Sequence, residues 1–309
     1  MSVIVYAAPY VPPPPPASPW EYTRHTLTGA DGVVWDVTDP RSGVFLTTDG
    51  VRGMGKPDWI LHHTVSPVIH GARYHGAVAP QREVMLPLFL YHDGSSAGWT
   101  ERYRAFMRNM QPDLPVLWTV IHPGSGESRS LTMRFVDDGG DIETQDSRGR
   151  GWKRLNLNFV ADERPFWEGA TVVREWHQSE QVDFFDPLGS PPFHLSQSLT
   201  LGGATVTNLG DEPAWPVWDL YGPMTSATVG VDGRFIDAPI VLAAGESLRI
   251  NTRPGSKSAY DGTGARRTPE LGRREWAVIP AGDSVPLSIT MDGTGTVRVS
   301  FTPAYHEAY

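Results

Sequence analysis

Four histidines crowd into one short stretch, His62, His63, His70 and His75. Imidazoles could hold zinc or iron if two or three of them converged with a carboxylate. The spacing argues against that. Adjacent residues on a strand point to opposite faces, so His62 and His63 cannot serve one site without distortion, and surface or interface histidines are the expectation. Asp137, Asp138 and Asp141, with two glycines between them, could clasp calcium, but the bidentate Glu and alternating ligands of an EF-hand loop are missing. That run reads as a turn. Trp215, Trp218, Tyr221 and Tyr260 are candidates for stacking on a sugar ring, with core or rim positions in a sandwich as the competing reading. No Gly-x-Ser-x-Gly elbow, phosphate-binding Gly-rich loop, dinucleotide fingerprint or His-Glu-x-x-His helix is present. Carboxylate pairs for glycoside hydrolysis cannot be chosen among 35 acidic residues without geometry. The chain therefore reads as a non-enzyme that needs no cofactor and no metal.

The bulk composition narrows the class further. At 309 residues the chain exceeds what one core usually organises, so two bodies are expected. Formal net charge is −9, which disfavours a general nucleic-acid binder, whose affinity comes from basic surface. Cysteine is absent, which suits folding in a reducing cytoplasm. No apolar run approaches a membrane span, and Met1 to Ala8 lacks the basic start and apolar region of a signal peptide. A soluble protein with no membrane insertion is the expectation.

The elements that would position any site are mostly strands. Pro12 to Pro16 is an unbroken proline run, expected as an extended polyproline II rod acting as a spacer. Beyond it, short extended pieces are expected at Glu21–Thr26, Val33–Val37 and Val44–Thr47, and Asp-Gly turns punctuate nearly the whole chain. One helix interrupts them between Ser96 and Met110, with Trp99, Tyr103, Phe106, Met107 and Met110 at helical spacing. Arg102, Arg104 and Arg108 are assigned to its other side, as a solvated or subunit-contacting face. Val116–His122 and Ser130–Val136 form a hairpin, and a polar loop runs from Asp138 to Gly151. The strand after it alternates Leu155, Leu157 and Phe159 against Arg154, Asn156 and Asn158.

That strand must stop near Ala161, because Asp162, Glu163 and Arg164 concentrate charge and Pro165 lacks a ladder donor. Phe166 and Trp167 then offer two large rings on a connector, as though wedged between packed bodies. Pro165, Phe166 and Trp167 are accordingly read as a domain junction. After them every segment reads as strand: Thr171–Trp176, Leu199–Leu201, Thr205–Asn208, Val217–Tyr221, Ala227–Val231, Phe235–Ile236, Ile240–Leu242, Ser247–Ile250, Glu275–Ile279, Val285–Met291 and Thr296–Phe301. Many short strands with no helical pattern between them favour a β-sandwich or jelly roll.

Eight segments in fixed order carry a family resemblance: Asp39-Pro-Arg-Ser-Gly-Val-Phe-Leu, Val51-Arg-Gly-Met-Gly-Lys-Pro, His62-His-Thr, Arg82-Glu-Val-Met-Leu-Pro-Leu-Phe-Leu, Leu131-Thr-Met-Arg-Phe-Val-Asp-Asp, Val160-Ala-Asp-Glu-Arg-Pro-Phe-Trp-Glu-Gly, Ala214-Trp-Pro-Val-Trp and Ile279-Pro-Ala-Gly. Together, from about Asp39 to Tyr305, they resemble the distal tail proteins of long-tailed bacteriophages, and most of all the minor tail proteins of actinobacterial phages. The resemblance implies a mainly β chain with a ring-forming belt domain with one α-helix over 20–168 and a galectin-like β-sandwich over 169–309, whereas the extended proline-rich arm over 1–19 has no counterpart in it. It implies a structural virion protein at the distal end of the tail, assembled in the host cytoplasm. Such a protein forms a homo-oligomeric ring, usually hexameric, that joins the tail tube to the tail tip or baseplate. Its partners would be the tail tube protein, the tape measure protein and tail-tip or hub proteins, and DNA would pass through the channel without specific binding. The alternative function is a carbohydrate-binding module that contacts host cell-wall glycans through the C-terminal sandwich.

Overall fold

The computed structural model describes residues 22–47, 50–140, 145–177 and 204–309. The arm over 1–19, the strand expected at Leu199–Leu201, and Asp141 lie outside the described residues. The first half contains β1 (Arg24–Thr28), β2 (Val34–Asp36), β3 (Val44–Leu46), β4 (Ile60–Ser66), β5 (Ile69–Val78) and β6 (Arg82–Tyr91). Helix α1 (Ser96–Met107), β7 (Pro115–Ile121), β8 (Ser128–Asp137), the single turn α2 (Ser147–Arg150), β9 (Trp152–Ala161) and β10 (Trp167–Glu168) follow. The second half is β11 (Val172–His177), β12 (Thr205–Thr207), β13 (Val217–Tyr221), β14 (Met224–Val231) and β15 (Arg234–Ala238), then β16 (Ser247–Asn251), β17 (Ser258–Asp261), β18 (Ser284–Gly293), β19 (Thr296–Phe301) and β20 (Ala304–Tyr305). The chain is mainly β, as its turn and alternation signals require.

Period-2 alternation builds the first sheet, ordered β2-β1-β7-β8-β9-β6-β3 and antiparallel throughout. Val84, Leu86, Leu88 and Leu90 of β6, Val116, Trp118 and Val120 of β7, and Leu155, Leu157 and Phe159 of β9 turn to one buried side. Helix α1 closes over part of this core. Ser95 caps it by accepting the Gly98 amide at 3.0 Å, and Trp99 and Phe106 point into the core. Regular helix stops at Met107, short of the expected Met110, which is nevertheless buried in the same core.

Residues between Thr47 and Ser96, where the sequence reading places no strand, hold three. Strand β6 is legible as a near-continuous apolar run, but Pro87 argues against a strand with neighbours on both sides. The fold removes that objection. The Pro87 carbonyl accepts the Thr47 amide at 2.9 Å, one residue beyond the end of β3. The side of Pro87 that lacks a donor therefore faces a place where the ladder has already ended.

The second core is a two-layer sandwich. One layer runs β11-β19-β13-β16-β17 and the other β12-β18-β14-β15. Their inner faces meet through Trp218, Leu220, Leu248, Val297 and Val299 on one side and Val206, Val229, Ile236, Leu287 and Ile289 on the other. Two expected strands are not strands. Leu242 makes a single bridge to Met224, and Ile279 a single bridge to Ala214, because short apolar runs that plug a sandwich need not extend a ladder.

The chain then returns. Strand β20 pairs with β10, Trp167 opposite Tyr305, and Ala308 is buried in the first core. The last residues thus pack with a core from which they are separated by the whole sandwich.

Candidate assembly surface and junction cleft

Strands β4 and β5 form a hairpin that joins no other sheet. Its apolar residues face outward: Ile60, Leu61, Val65 and Tyr74 are 52–66% exposed. A lone two-stranded ribbon is marginal in water, and here apolar side chains stand exposed on both of its faces, Ile60 on one and Leu61 on the other. From Ile60 to Val78 there is no acidic residue, one arginine, and the four histidines named above, on a chain of net charge −9. His75 Nε2 and Thr64 Oγ1 are 2.7 Å apart, and the register slips between His62 and His63. Among the described residues no three His, Asp or Glu side chains are placed to hold a metal ion.

The three helix arginines do not share a face. Residues two apart on a helix are separated by about 200°, and Arg102 turns inward, its Nη1 donating to the Tyr91 carbonyl at 2.6 Å. Its guanidinium fills the space where a side chain at Gly43 (φ 82°) would go. Of the three, only Arg104 and Arg108 stand on the exposed side of the helix.

The junction is held by a buried arginine. Arg82, 4% exposed, donates from Nε to the Pro165 carbonyl (2.6 Å), from Nη1 to Gly53 (2.8 Å) and Gly55 (2.5 Å), and from Nη2 to His306 (2.8 Å). Burial lowers its pKa to about 10, against the opposing pull of Asp58. Its partners come from the loop before the hairpin, the junction and the C-terminal segment. Arg129 supports the same segment, donating to the carbonyls of Glu307 (2.9 Å) and Tyr309 (2.5 Å) and lying 3.8 Å over the Tyr305 ring. Arg82 opens one of the eight resemblance segments, but sequence reasoning gave it no role and missed it as a structural hub.

Of the two rings expected to wedge between the bodies, Trp167 lies wholly inside the first core, 4.9 Å from Trp118, and donates to the Gly53 carbonyl at 3.3 Å. Phe166 points the other way. Its centroid lies 6.3 Å from Trp59 and 5.7 Å from His306, and it lines a cleft of about 200 Å³ with Trp215, Glu212, Arg164, Glu168 and Arg253. A second cleft of about 370 Å³ shares Phe166, Glu163, Arg164, Glu168 and Arg253, and adds Thr132, Arg134 and Asp162.

Most charges there are paired. Arg134 contacts Asp162 (3.3 Å) and Glu163 (3.1 Å), Arg164 contacts Glu168, and His306 Nε2 is 2.8 Å from Glu212. Arg253 is half-buried, and its guanidinium has no hydrogen bond or ion pair among the described residues. Burial first, then the charge of Arg164, hold it below the ordinary guanidinium range, while Glu168 and Glu163 pull the other way.

The four candidate stacking residues are not one platform. Trp218 is 1% exposed and belongs to the sandwich core, since alternation along β13 turns it inward and Tyr221 outward. Trp215 lines the cleft. Tyr221 and Tyr260 share the outer face of the β11-to-β17 layer, on which Glu175, Arg298, Asp219, Arg249 and Tyr260 stand in register across five strands. Arg249 grips Asp219 with two bonds of 2.6 and 3.0 Å, and Arg298 donates to Glu175 (3.0 Å) and to the Tyr221 hydroxyl (3.1 Å). Asp137 accepts from Asn158 Nδ2 and the Gly139 amide, both at 2.7 Å, which is turn chemistry.

No protein-family profile and no curated protein sequence matches this chain. Solved structures do. The Dit protein (gp 19.1) of phage SPP1, described as a paradigm of the hub adsorption apparatus in phages infecting Gram-positive bacteria, aligns with a TM-score of 0.62 at 16% identity. The alignment covers 91% of this chain and 98% of that one. A chain of the phage P2 baseplate, in its activated conformation with calcium, aligns with a TM-score of 0.52 at 12% identity over the same shares of both chains. The fold is thus shared along nearly the whole length.

Proposed function

We propose that this chain is a structural, non-catalytic component of a long phage tail that assembles into a closed ring, usually of six, at the distal end of the tail. The observation that carries the reading is the β4–β5 hairpin. It is free of acidic residues, exposed on both strands, and attached to a chain of net charge −9. A second copy of the chain offers both the acidic surface and the apolar cover that the hairpin lacks. A head-to-tail contact of this kind must close into a ring or grow without limit. The whole-length fold likeness to a phage hub protein supports the same reading.

In this reading residues 20–168 form the belt, 169–309 the outward sandwich, and 1–19 an arm. Arg104 and Arg108 meet the neighbouring subunit. The ring joins the tail tube to the tip or baseplate, against the tail tube, tape measure and hub proteins. DNA crosses a channel in which acidic residues outnumber basic ones, because clustered Lys and Arg would bind phosphate and retard it.

Native mass spectrometry tests the assembly. The full chain should give a species at six times 34.0 kDa, alone at high concentration or with tail partners present. The double variant Leu61→Glu/Tyr74→Glu should stay monomeric with an unchanged thermal midpoint, because both positions are exposed. A variant that assembles like the parent removes the hairpin from the contact. A tail tip that holds this chain in no cyclic arrangement removes the ring.

A further inference from the structure

The β4–β5 hairpin has two unlike sides. Residues opposite each other in an antiparallel ladder share a face, so the register puts Leu61 with Ala77, His63 with Tyr74 and Val65 with Ala72 on one side. Ile60 with Val78, His62, and Thr64 with Arg73 take the other, where His75 also lies, bonded to Thr64. One side is thus apolar but for His63, and the other is polar beyond its root. Leu61, Val65 and Tyr74 are all exposed, so the described part of its own chain leaves the apolar side uncovered.

The first sheet holds a second uncovered apolar place. Among its described residues the exposed large hydrophobics are Val34 (60%), Leu117 (36%) and Val136. Val34 and Leu117 oppose Thr28 from either flank, so these three form one row on the outer face, with Leu27, Val116 and Trp118 turned to the core. Charge matches as well. Segments 22–39 and 111–121, which build this face, carry four aspartates and one arginine, whereas Ile60 to Val78 carries one arginine and no acidic residue. Arg108, whose charge reaches Asp31, leaves the acids still in excess.

We propose that the hairpin face bearing Leu61, Val65 and Tyr74 packs on the Val34, Thr28 and Leu117 row of the neighbouring copy. This rests on the ring reading above and names the two patches that meet. They are different patches, so the contact repeats head to tail. Sheet faces stack at about 10 Å with their side chains interdigitated, and Ala72, Ala77 and Thr28 are small enough to leave room for the larger residues beside them. Attraction between an acid-rich patch and an acid-free ribbon selects which surface the ribbon finds.

The chain has no cysteine, so introduced cysteines read the contact directly. In the full chain carrying Leu61→Cys/Leu117→Cys, a short bis-maleimide should join successive copies into a covalent ladder on denaturing gels. Either single variant should stay monomeric there, and an equimolar mixture of the two should give dimers and nothing larger. Leu61→Cys/Val241→Cys, with its second cysteine at an exposed site of the sandwich, should give no ladder. Val34→Lys/Leu117→Lys sets new cations against the acid-free ribbon. It should raise the concentration needed for assembly by about tenfold or more, with an unchanged thermal midpoint. Native mass spectrometry of the same samples separates this inference from the ring itself. Rings without the Leu61–Leu117 ladder overturn the docking site and leave the ring standing, while neither rings nor ladder overturns both. An equally strong ladder through Val241, or a folded lysine variant that assembles like the parent, also overturns the site.

Discussion

The indole N–H of Trp118 donates to Nδ1 of His25 at 3.3 Å, with the two rings stacked 5.9 Å apart. Nδ1 must carry a lone pair to accept, so the fold selects the neutral imidazole. Burial first, then repulsion from His122, lower the His25 pKa below 6.5, with Asp36 opposing. The unfolded chain therefore binds this proton at a higher pH than the folded one. Its stabilising share is complete above about pH 6.5, is lost as pH falls through the folded value, and is constant below that. Urea midpoints measured between about pH 8 and pH 5 should fall in parent protein. In His25→Gln, which keeps an acceptor and cannot titrate, that part of the slope should vanish.

Arg82 satisfies four carbonyls from three separated segments. Arg82→Met strands buried acceptors and should cost about 3 kcal/mol or more, each orphaned group contributing roughly 1–3. Arg82→Lys should recover only part, since its donors radiate from one point. Urea denaturation measures the loss, and amide exchange should rise first near Met54 and Ala308, whose backbones hydrogen-bond at 2.8 Å.

The C-terminal segment should behave as part of the first core. Deleting 304–309 removes the β20 partner of β10 and the buried Ala308. Calorimetry should show the transition of the first core lowered and that of the 206–301 core little changed. A fragment spanning 22–170 should accordingly need a peptide of 304–309 to fold fully, while one from 171 to 303, which keeps β11, should fold unaided. Equal effects on both transitions would contradict two separable cores.

Two aromatic residues of the sandwich should separate by an order of magnitude. Trp218→Ala opens a cavity among Leu220, Ile250 and Val299 and should cost about 3–5 kcal/mol. Tyr260→Ala, on the exposed outer face, should stay within about 0.5 kcal/mol. Thermal or urea unfolding of the two variants side by side decides this.

Much of the architecture could be read from local pattern. Alternation of Leu155, Leu157 and Phe159 identifies β9, the spacing of Trp99, Tyr103 and Phe106 identifies α1, and dense turn residues identify a β-rich second half. Each signal is local, because side-chain periodicity within one element records which face meets a core. Local pattern misled where a neighbour intervened. The apolar run of β6 went unread as a strand, and three arginines close in sequence looked like one face until the helix rotated Arg102 onto the Tyr91 carbonyl.

By itself the sequence determined the β class, the single long helix and the break after Ala161. Those follow from propensity, alternation and the missing donor of proline, which act over a few residues. Only the tertiary structure decided that the C-terminus returns to β10, that Arg82 gathers the junction, and that Trp218 is core while Trp215 faces a cleft. Those relations join residues tens to hundreds of positions apart. Whether a charge is paired or a ring is covered depends on what the rest of the chain brings beside it, and no local pattern records that.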